Sequence, residues 1–388
     1  MSEVTHPPLS PVEHLPAPDE AGELREGMAL CLSGGGYRAM LFHVGVLWRL
    51  NDARLLRGLK RISSVSGGSI TAGVLGVNWL QLGFDELGLA KQFLEQVVQP
   101  LRGLAARTLD RGSVVGGILL PGMTISDFLA SAYDRHLFHG ATLQALPDDS
   151  QGPRFVINAT NVQSGALWRF MKPYMRDYRV GEVKRPQVPL ALAVAASSAF
   201  PPILSPVRLE LGEEDFTPGS GLDLQRPPFT TDVYLSDGGV YDNLGLETAW
   251  KSYRTILVSD AGGKMQAEEE PKTDWARHAV RVLDLVDNQV RSLRKRQLID
   301  SYVRKDRQGA YWGIRTDIAD YEIADALPCP FERTLALAET PTRLKRVDAG
   351  LQERLINWGY AVCDAALRKH VDPQLQKPDG FPYPAAGV

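Results

Sequence analysis

Short apolar runs that end at small residues alternate with longer apolar segments in the first third of the chain. Residues 28–32 form a short apolar run that ends at glycines, and residues 38–50 are apolar on nearly every side. Residues 60–65 have the composition of a second strand, and residues 69–80 that of a second helix. Two successive strand–helix units favour a parallel sheet, so the pattern predicts an α/β fold.

The same alternation continues to about residue 263 and then changes character. Apolar, β-rich runs predict three further strands, at 155–160, 233–237 and 255–260, and residues 188–199 predict a helix. Beyond residue 265 the spacing of apolar residues predicts two amphipathic helices, at 275–304 and 351–368.

This pattern divides the chain into segments of different composition. We expect a polar, proline-rich tail at residues 1–24, a catalytic domain at 25–265 and a helical extension packed on the core at 266–388. The catalytic domain would contain an inserted helical cap at 84–150, which has a glycine-rich interruption at 112–122.

Composition and charge exclude several classes of protein. The 44% hydrophobic and 23% charged residues are ordinary for a globular protein, and the net charge of -3 lacks the basic excess of a nucleic-acid binder. Three scattered cysteines form no disulfide framework or CxxC pair, and no cluster has metal-ligand spacing. No secretory signal is visible, so we expect a cytoplasmic protein without a metal or cofactor.

A glycine-rich loop follows the first predicted strand. Gly34, Gly35 and Gly36 allow backbone N–H groups to converge at the start of a helix, where anions bind. The spacing of Gly34, Gly36 and Ala39 also fits a dinucleotide-binding loop. That alternative needs an acidic residue at the end of the second strand, but this strand ends in serine and glycine.

The second predicted strand ends in a possible nucleophile elbow. Ser64-Val65-Ser66-Gly67-Gly68 matches the G-x-S-x-G pattern except that serine takes the first small position. A strained strand-to-helix turn exposes its central hydroxyl, and small neighbours let the backbone pass closely. Ser66 is the candidate nucleophile, and a simple Ser/Gly turn is the alternative.

An acidic residue ends the predicted strand at 233–237. Asp237 is followed by Gly238 and Gly239, and the carboxyl end of a strand is where open α/β sheets bind their ligands. Asp237 is therefore the candidate base for Ser66. Asp260 ends the next strand in a similar Asp-Ala-Gly-Gly context and is the second candidate.

The three motifs, in this order, resemble those of the patatin-like phospholipases over roughly residues 28–263. The resemblance implies a three-layer α/β/α fold with a mostly parallel sheet, and a Ser–Asp dyad of Ser66 and Asp237. It implies an oxyanion hole at Gly34, Gly35 and Gly36. The residues that would support this site are Arg38, Gly67, Gly68 and Gly238. Ser64 departs from the family pattern, which usually has glycine there.

The implied activity is hydrolysis of a lipid or phospholipid ester, with peripheral contact at a membrane. A Ser–His–Asp esterase is an alternative, for which His278 and His370 are the histidines in the right chain order. A module that binds lipid or nucleotide without turnover is a second alternative.

Other polar residues have structural interpretations. We expect Arg38 to steady the glycine loop and His43 to be a packed core histidine. The basic segment at 291–296 is interpreted as a solvated helix face, although an anionic membrane surface would also attract it.

Overall fold

The computed structural model describes residues 24–109 and 124–388. The expected tail, apart from residue 24, and the glycine-rich interruption at 112–122 lie outside the described residues. Ten strands form one sheet: β1 Arg25–Leu32, β2 Leu59–Ser64, β3 Arg154–Asn161, β4 Ala166–Phe170, β5 Tyr174–Asp177, β6 Gly181–Lys184, β7 Val207–Glu210, β8 Asp232–Asp237, β9 Tyr253–Asp260 and β10 Gln308–Gly313.

Helices precede and follow these strands in the described ranges. They are α1 Gly36–Asp52, α2 Gly67–Val77, α3 Gln99–Ala105, α4 Ile125–Tyr133, α5 Leu190–Ser197, α6 Gly239–Asp242, α7 Glu247–Trp250, α8 Trp275–Val303, α9 Phe331–Ala338 and α10 Ala349–His370. Two π-helical turns, Leu94–Val98 and Asp134–Phe138, adjoin α3 and α4. Within the described ranges, no helix has the length and apolar character needed to cross a membrane.

Five strands in the order β10-β9-β1-β2-β3 run parallel and form the centre of the fold. Their apolar residues alternate between two cores: Leu30 and Leu32 of β1 face one, and Ala29 and Cys31 face the other. The first core packs against α1 and α10, the second against α7 and α8. The predicted α/β/α layers and mostly parallel central sheet are confirmed.

Strand β8 reaches the sheet from the opposite direction. Ser64 at the end of β2 pairs with Ile157 of β3, and Asp237 at the end of β8 pairs with Ala159, two residues further along β3. Because β2 is parallel and β8 antiparallel to β3, their carboxyl ends approach each other along the same side of β3. This arrangement brings the segments after both strands together.

Several strands were not predicted. The antiparallel strands β4 to β7 are only four or five residues long, with pairing and turns that leave weak periodicity. β10 lies within residues 266–388, where only helices were expected, and joins β9 at the sheet edge. Its polar start, Gln308-Gly309, hides the strand pattern. The division into domains remains an expectation.

Helices α1 and α10 cross at two glycines. A β-carbon at Gly45 would collide with the carbonyl of Ile356, and one at Gly359 with the carbonyl of Phe42. The two backbones are therefore in contact, which fixes α10 against the helix that carries the glycine loop.

We predict that Gly359→Ala lowers the free energy of unfolding by about 1–3 kcal/mol or more, because a methyl group there must separate two backbones. Urea denaturation measures the change. Gly350→Ala is the matched control, since Gly350 lies in the exposed first turn of the same helix, where alanine is the better helix former. Equal stability of both variants would contradict this packing.

Candidate active site

Ser66 occupies a strained turn between β2 and α2. Its φ of 52° lies in the left-handed region, which a residue with a side chain rarely adopts. The two glycines that follow make the turn possible: a β-carbon at Gly67 would collide with the Gly36 carbonyl, and one at Gly68 would lie 2.5 Å from the Leu32 carbonyl. The turn thus has the form that sequence analysis predicted for a nucleophile elbow.

A series of hydrogen-bonded serine hydroxyls stabilises the turn at Ser66. The Ser66 N–H donates to Ser197 Oγ at 3.0 Å, and Ser197 Oγ lies 2.9 Å from Ser69 Oγ. Ser69 donates to Ser64 Oγ at 3.0 Å, and Ser64 donates to the Val156 carbonyl. Because the Ser69 hydroxyl donates to Ser64, the Ser197 hydroxyl donates to Ser69. It accepts from the Ser66 N–H. The serine at position 64 therefore fixes the turn.

Asp237 is buried at the end of β8, with only 2% of its surface exposed. Burial raises the pKa of its carboxyl to about 7, although the Gly239 N–H and the Ser66 hydroxyl both lower it. The Gly239 N–H donates to Oδ1 at 2.6 Å. Gly238 has no room for a β-carbon beside the Asn158 carbonyl. The site therefore holds a carboxyl of high proton affinity against Ser66.

The glycine loop lies beside these two residues, and its three N–H groups differ. The Gly34 N–H donates to the Asn243 carbonyl at 3.1 Å, which differs from its expected role as an oxyanion donor. A β-carbon at Gly34 would approach that of Ser66 within 3.1 Å, so Gly34 supplies space. Gly35 and Gly36 have positive φ, and their N–H groups have no hydrogen-bond partner among the described residues.

Arg38 ties the glycine loop to two distant segments. It is buried, and its Nε and Nη2 donate to the Ala261 carbonyl at 3.2 and 3.0 Å. Its Nη1 donates to the carbonyls of Ala338 and Thr340 at 3.4 and 2.5 Å. The guanidinium thus binds backbone carbonyls, in agreement with the structural role, stabilising the glycine loop, that the sequence suggested for Arg38.

A cleft of about 560 Å³ opens at Ser66. Gly36, Gly67 and Ile70 line it beside the nucleophile, and Ser198, an apolar segment at 200–204 and residues 342–344 line the rest. Phe200 and Ile203 project from this wall with 43% and 58% of their surfaces exposed. The hydroxyl therefore faces an apolar, open binding space.

The alternative catalytic residues lie in other surroundings. Asp260 is buried, and although burial raises the pKa of its carboxyl, Lys295 and Arg291 hold it well below its usual range, so it is a poor base. His278 is exposed on α8, and His370 packs against the Tyr321 ring. Within the described residues, neither histidine hydrogen-bonds to Ser66 or Asp237.

His43 is a core residue. Its Nε2 lies 2.9 Å from the Ser33 carbonyl, so Nε2 carries the proton, and Nδ1 accepts from the Ser259 hydroxyl at 2.9 Å. Burial lowers the pKa of His43 to about 4. The neutral imidazole thereby joins the ends of β1 and β9 beneath the glycine loop.

Sequence reasoning missed Ser197, Ser69 and Asn243 as parts of the site. Ser197 lies in the segment Ala196-Ser-Ser-Ala-Phe-Pro-Pro202, whose small residues end the predicted helix at 188–199 and were the available signal. Nothing in the local sequence of Asn243 indicates that its carbonyl accepts from Gly34 and its side chain fills the space beside Gly239.

Comparison with known proteins identifies the family of this chain. The model of the family described as patatin-like phospholipase matches residues 30–250, more than half of the chain. The chain therefore belongs to the patatin-like phospholipase family. A comparison with curated proteins gave no match.

Solved structures show distant similarity. A human GIVD cytosolic phospholipase A2 bound to methyl gamma-linolenyl fluorophosphonate is 15% identical, with 88% of this chain and 57% of that chain covered and a TM-score of 0.49. Another structure of that enzyme is 15% identical over 60% and 45% of the two chains, with a TM-score of 0.40. VipD from Legionella pneumophila is 15% identical over 90% and 67%, with a TM-score of 0.37. The chain thus spans about half the length of the human enzyme.

We predict that Asp237→Asn stabilises the protein more at pH 8 than at pH 5. The folded-state pKa of about 7 lies above the ordinary value of 3.8, so stability is lost as pH rises and the buried carboxyl ionises. Asparagine removes this loss and its Oδ1 can still accept the Gly239 N–H. Thermal denaturation at both pH values measures the difference.

Asp232→Asn, at the half-buried start of the same strand, is the control. The hydrogen bond from Arg208 lowers the pKa of Asp232, so this variant should be no more stable than the parent protein at pH 8. A loss of stability in Asp237→Asn that grows with pH would contradict the high proton affinity of Asp237.

Proposed function

We propose that the protein is a serine acyl hydrolase that cleaves fatty-acyl esters, in the manner of a phospholipase A or lysophospholipase, with Ser66 and Asp237 as a catalytic dyad. One observation carries the proposal: a buried carboxyl with a pKa near 7 contacts a serine hydroxyl on a strained turn at the mouth of an apolar cleft. Membership of the patatin-like phospholipase family supports a lipid hydrolase.

Acylation would proceed with the carboxylate of Asp237 as the base. As Ser66 Oγ attacks the ester carbonyl, its proton passes to Asp237, and Asp237 then protonates the departing alcohol when the C–O bond breaks. A base with a pKa near 7 suits this work because about half of it is ionised at neutral pH and the carboxylate binds the proton well.

The negative charge that develops on the carbonyl oxygen needs donors fixed in place beforehand. The N–H groups of Gly35 and Gly36, without partners among the described residues, lie beside the elbow and would stabilise it. The Gly67 N–H follows the nucleophile directly, a position that supplies a donor in related elbows. Each such donor typically contributes about 10² to 10³-fold in rate.

Deacylation would return the site to its starting state. A water molecule attacks the acyl group on Ser66 and gives its proton to Asp237, which passes the proton to Ser66 Oγ as the fatty acid leaves. Arg38 takes no part in this chemistry, because its donor groups bind backbone carbonyls.

The cleft supports a long-chain acyl substrate presented at a lipid surface. Its wall is largely apolar, and the side chains of Phe200 and Ile203 project beside the opening. These two residues would enter a lipid layer and bring Ser66 to the ester.

The three cysteines in the described ranges are buried and unpaired, which supports the reducing compartment expected of a cytoplasmic protein.

We predict that Ser66→Ala lowers kcat/KM for a fatty-acyl ester by at least about 10³-fold, because the acyl-enzyme no longer forms. The unfolding temperature should change little. Ser131→Ala, at an exposed position of α4, is the matched control and should retain full activity. A fluorophosphonate probe should label the parent protein and the control but not Ser66→Ala. Full activity of Ser66→Ala would end the proposal.

We predict that Ile203→Asp lowers hydrolysis of phospholipid in vesicles at least about tenfold while hydrolysis of a short, monomeric ester changes less than about threefold. The charge opposes entry into a lipid layer and leaves Ser66 untouched. Leu222→Asp, at a leucine with 71% of its surface exposed, is the control and should behave like the parent protein. Equal losses on both substrates would show that Ile203 serves the cleft alone.

A further inference from the structure

A second cavity, of about 330 Å³, lies at the carboxyl ends of β9 and β10. Asp260 and Gly262 at the end of β9 and Gly313 at the end of β10 form its floor. One face of α8 covers it with Asn288, Arg291, Ser292 and Lys295, which follow helical spacing. The catalytic cleft has no lining residue in common with this cavity.

Cations outnumber carboxylates around this cavity. Lys264, Arg291, Lys295 and Arg315 line it, and Asp260 is the one carboxylate that does so. The Asp260 carboxylate is already satisfied: it pairs with Lys295 at 2.6 Å and accepts from the Tyr311 hydroxyl at 2.9 Å and the Gly262 N–H at 2.9 Å. Arg291 also interacts electrostatically with Asp260, so Lys264 and Arg315 are the two lining cations without a carboxylate partner in the lining.

The two guanidinium groups are held in place by backbone carbonyls. Arg291, only 7% exposed, donates to the Gly263 carbonyl, and Arg315 Nη2 donates to the Ala338 carbonyl at 3.2 Å. Arg315 Nε is buried and has no hydrogen-bond partner among the described residues. Asp287, one turn before Arg291 on α8, adds a second carboxylate nearby, but burial raises its pKa. The fold thus fixes guanidinium donors and leaves one of them unsatisfied.

The sequence had suggested that the basic segment of α8 is solvated. The structure corrects this interpretation for Arg291 and Lys295, because the helix face that carries them packs over the ends of β9 and β10. Arg291 is desolvated here, and the lining holds more cations than carboxylates, an arrangement that is costly without an added negative charge. It therefore indicates an anion that binds in the cavity.

We propose that this cavity is a binding site for a phosphate monoester group, held by Arg315, Arg291 and Lys264. Three features fit such a ligand: fixed, planar guanidinium donors, a polar rim of Asn288, Ser292 and Thr316, and a volume suited to a small group. The group belongs either to a soluble compound or to a lipid headgroup, and both present the same oxyanion.

An anion bound in this cavity would affect the glycine loop. Ala261, between two residues of the cavity floor, presents its carbonyl to Arg38 and lies against Gly35, where a β-carbon would approach that carbonyl within 2.8 Å. The site itself does not depend on ester hydrolysis, so the proposal stands or falls apart from the function proposed above.

Calorimetric titration of the full chain with inorganic phosphate and with glycerol phosphate, at constant ionic strength, tests the soluble source. We expect saturable binding and a rise in unfolding temperature. Arg315→Gln should weaken binding about tenfold, the effect of one charge-assisted hydrogen bond. Lys264→Gln, at an exposed position that cannot disturb the fold, should weaken it about threefold. Lys91→Gln, at an exposed position outside the cavity lining, is the control and should bind as the parent protein does.

Flotation with phosphatidylcholine vesicles, with or without phosphatidic acid, tests the lipid source. Binding that requires phosphatidic acid and is weakened by Arg315→Gln, without binding of the soluble compounds, assigns the site to a headgroup. Binding of the soluble compounds with the same dependence assigns it to a soluble ligand. If neither kind binds, or if the lining variants bind as well as Lys91→Gln, the proposal is overturned.

Discussion

A carboxyl group is buried where two strands of opposite direction end against a common neighbour. Asp237 and the turn at Ser66 meet because β8 and β2 approach along the same side of β3. Strand pairing alone sets these positions, because Ser64 at the end of β2 pairs with Ile157 and Asp237 pairs with Ala159, two residues further along β3. Burial at this junction raises the proton affinity of Asp237, and the adjoining turn presents a hydroxyl to it.

The surrounding structure stabilises this strained junction. The positive φ of Ser66 and the buried carboxyl both cost stability, and the surrounding structure offsets them. The serine hydroxyl chain holds the turn from one side, and glycines let neighbouring backbones touch. Arg38 and His43 fix the glycine loop from beneath, with burial keeping His43 neutral. These strained groups are the ones that the proposed function assigns as nucleophile and base.

The sequence predicted the local features of the site better than its long-range ones. Ser66, Asp237 and the glycine loop could be predicted because each follows an apolar strand and is flanked by glycines. The antiparallel direction of β8 could not, because direction depends on pairing with β3 and leaves no local pattern. For the same reason the occupied N–H of Gly34 and the inward face of α8 were not foreseen. Both depend on partners more than 20 residues away, Asn243 and Asp260.

The most direct test of the account is a crystal structure of the protein after reaction with a long-chain fluorophosphonate. We expect phosphorus bonded to Ser66 Oγ, an Asp237 oxygen within hydrogen-bond distance of that Oγ, and the phosphoryl oxygen facing the Gly35 and Gly36 N–H groups, with the alkyl chain along residues 200–204. An adduct on another residue, or one whose phosphoryl oxygen points away from the glycine loop while a histidine contacts Ser66, would contradict the account.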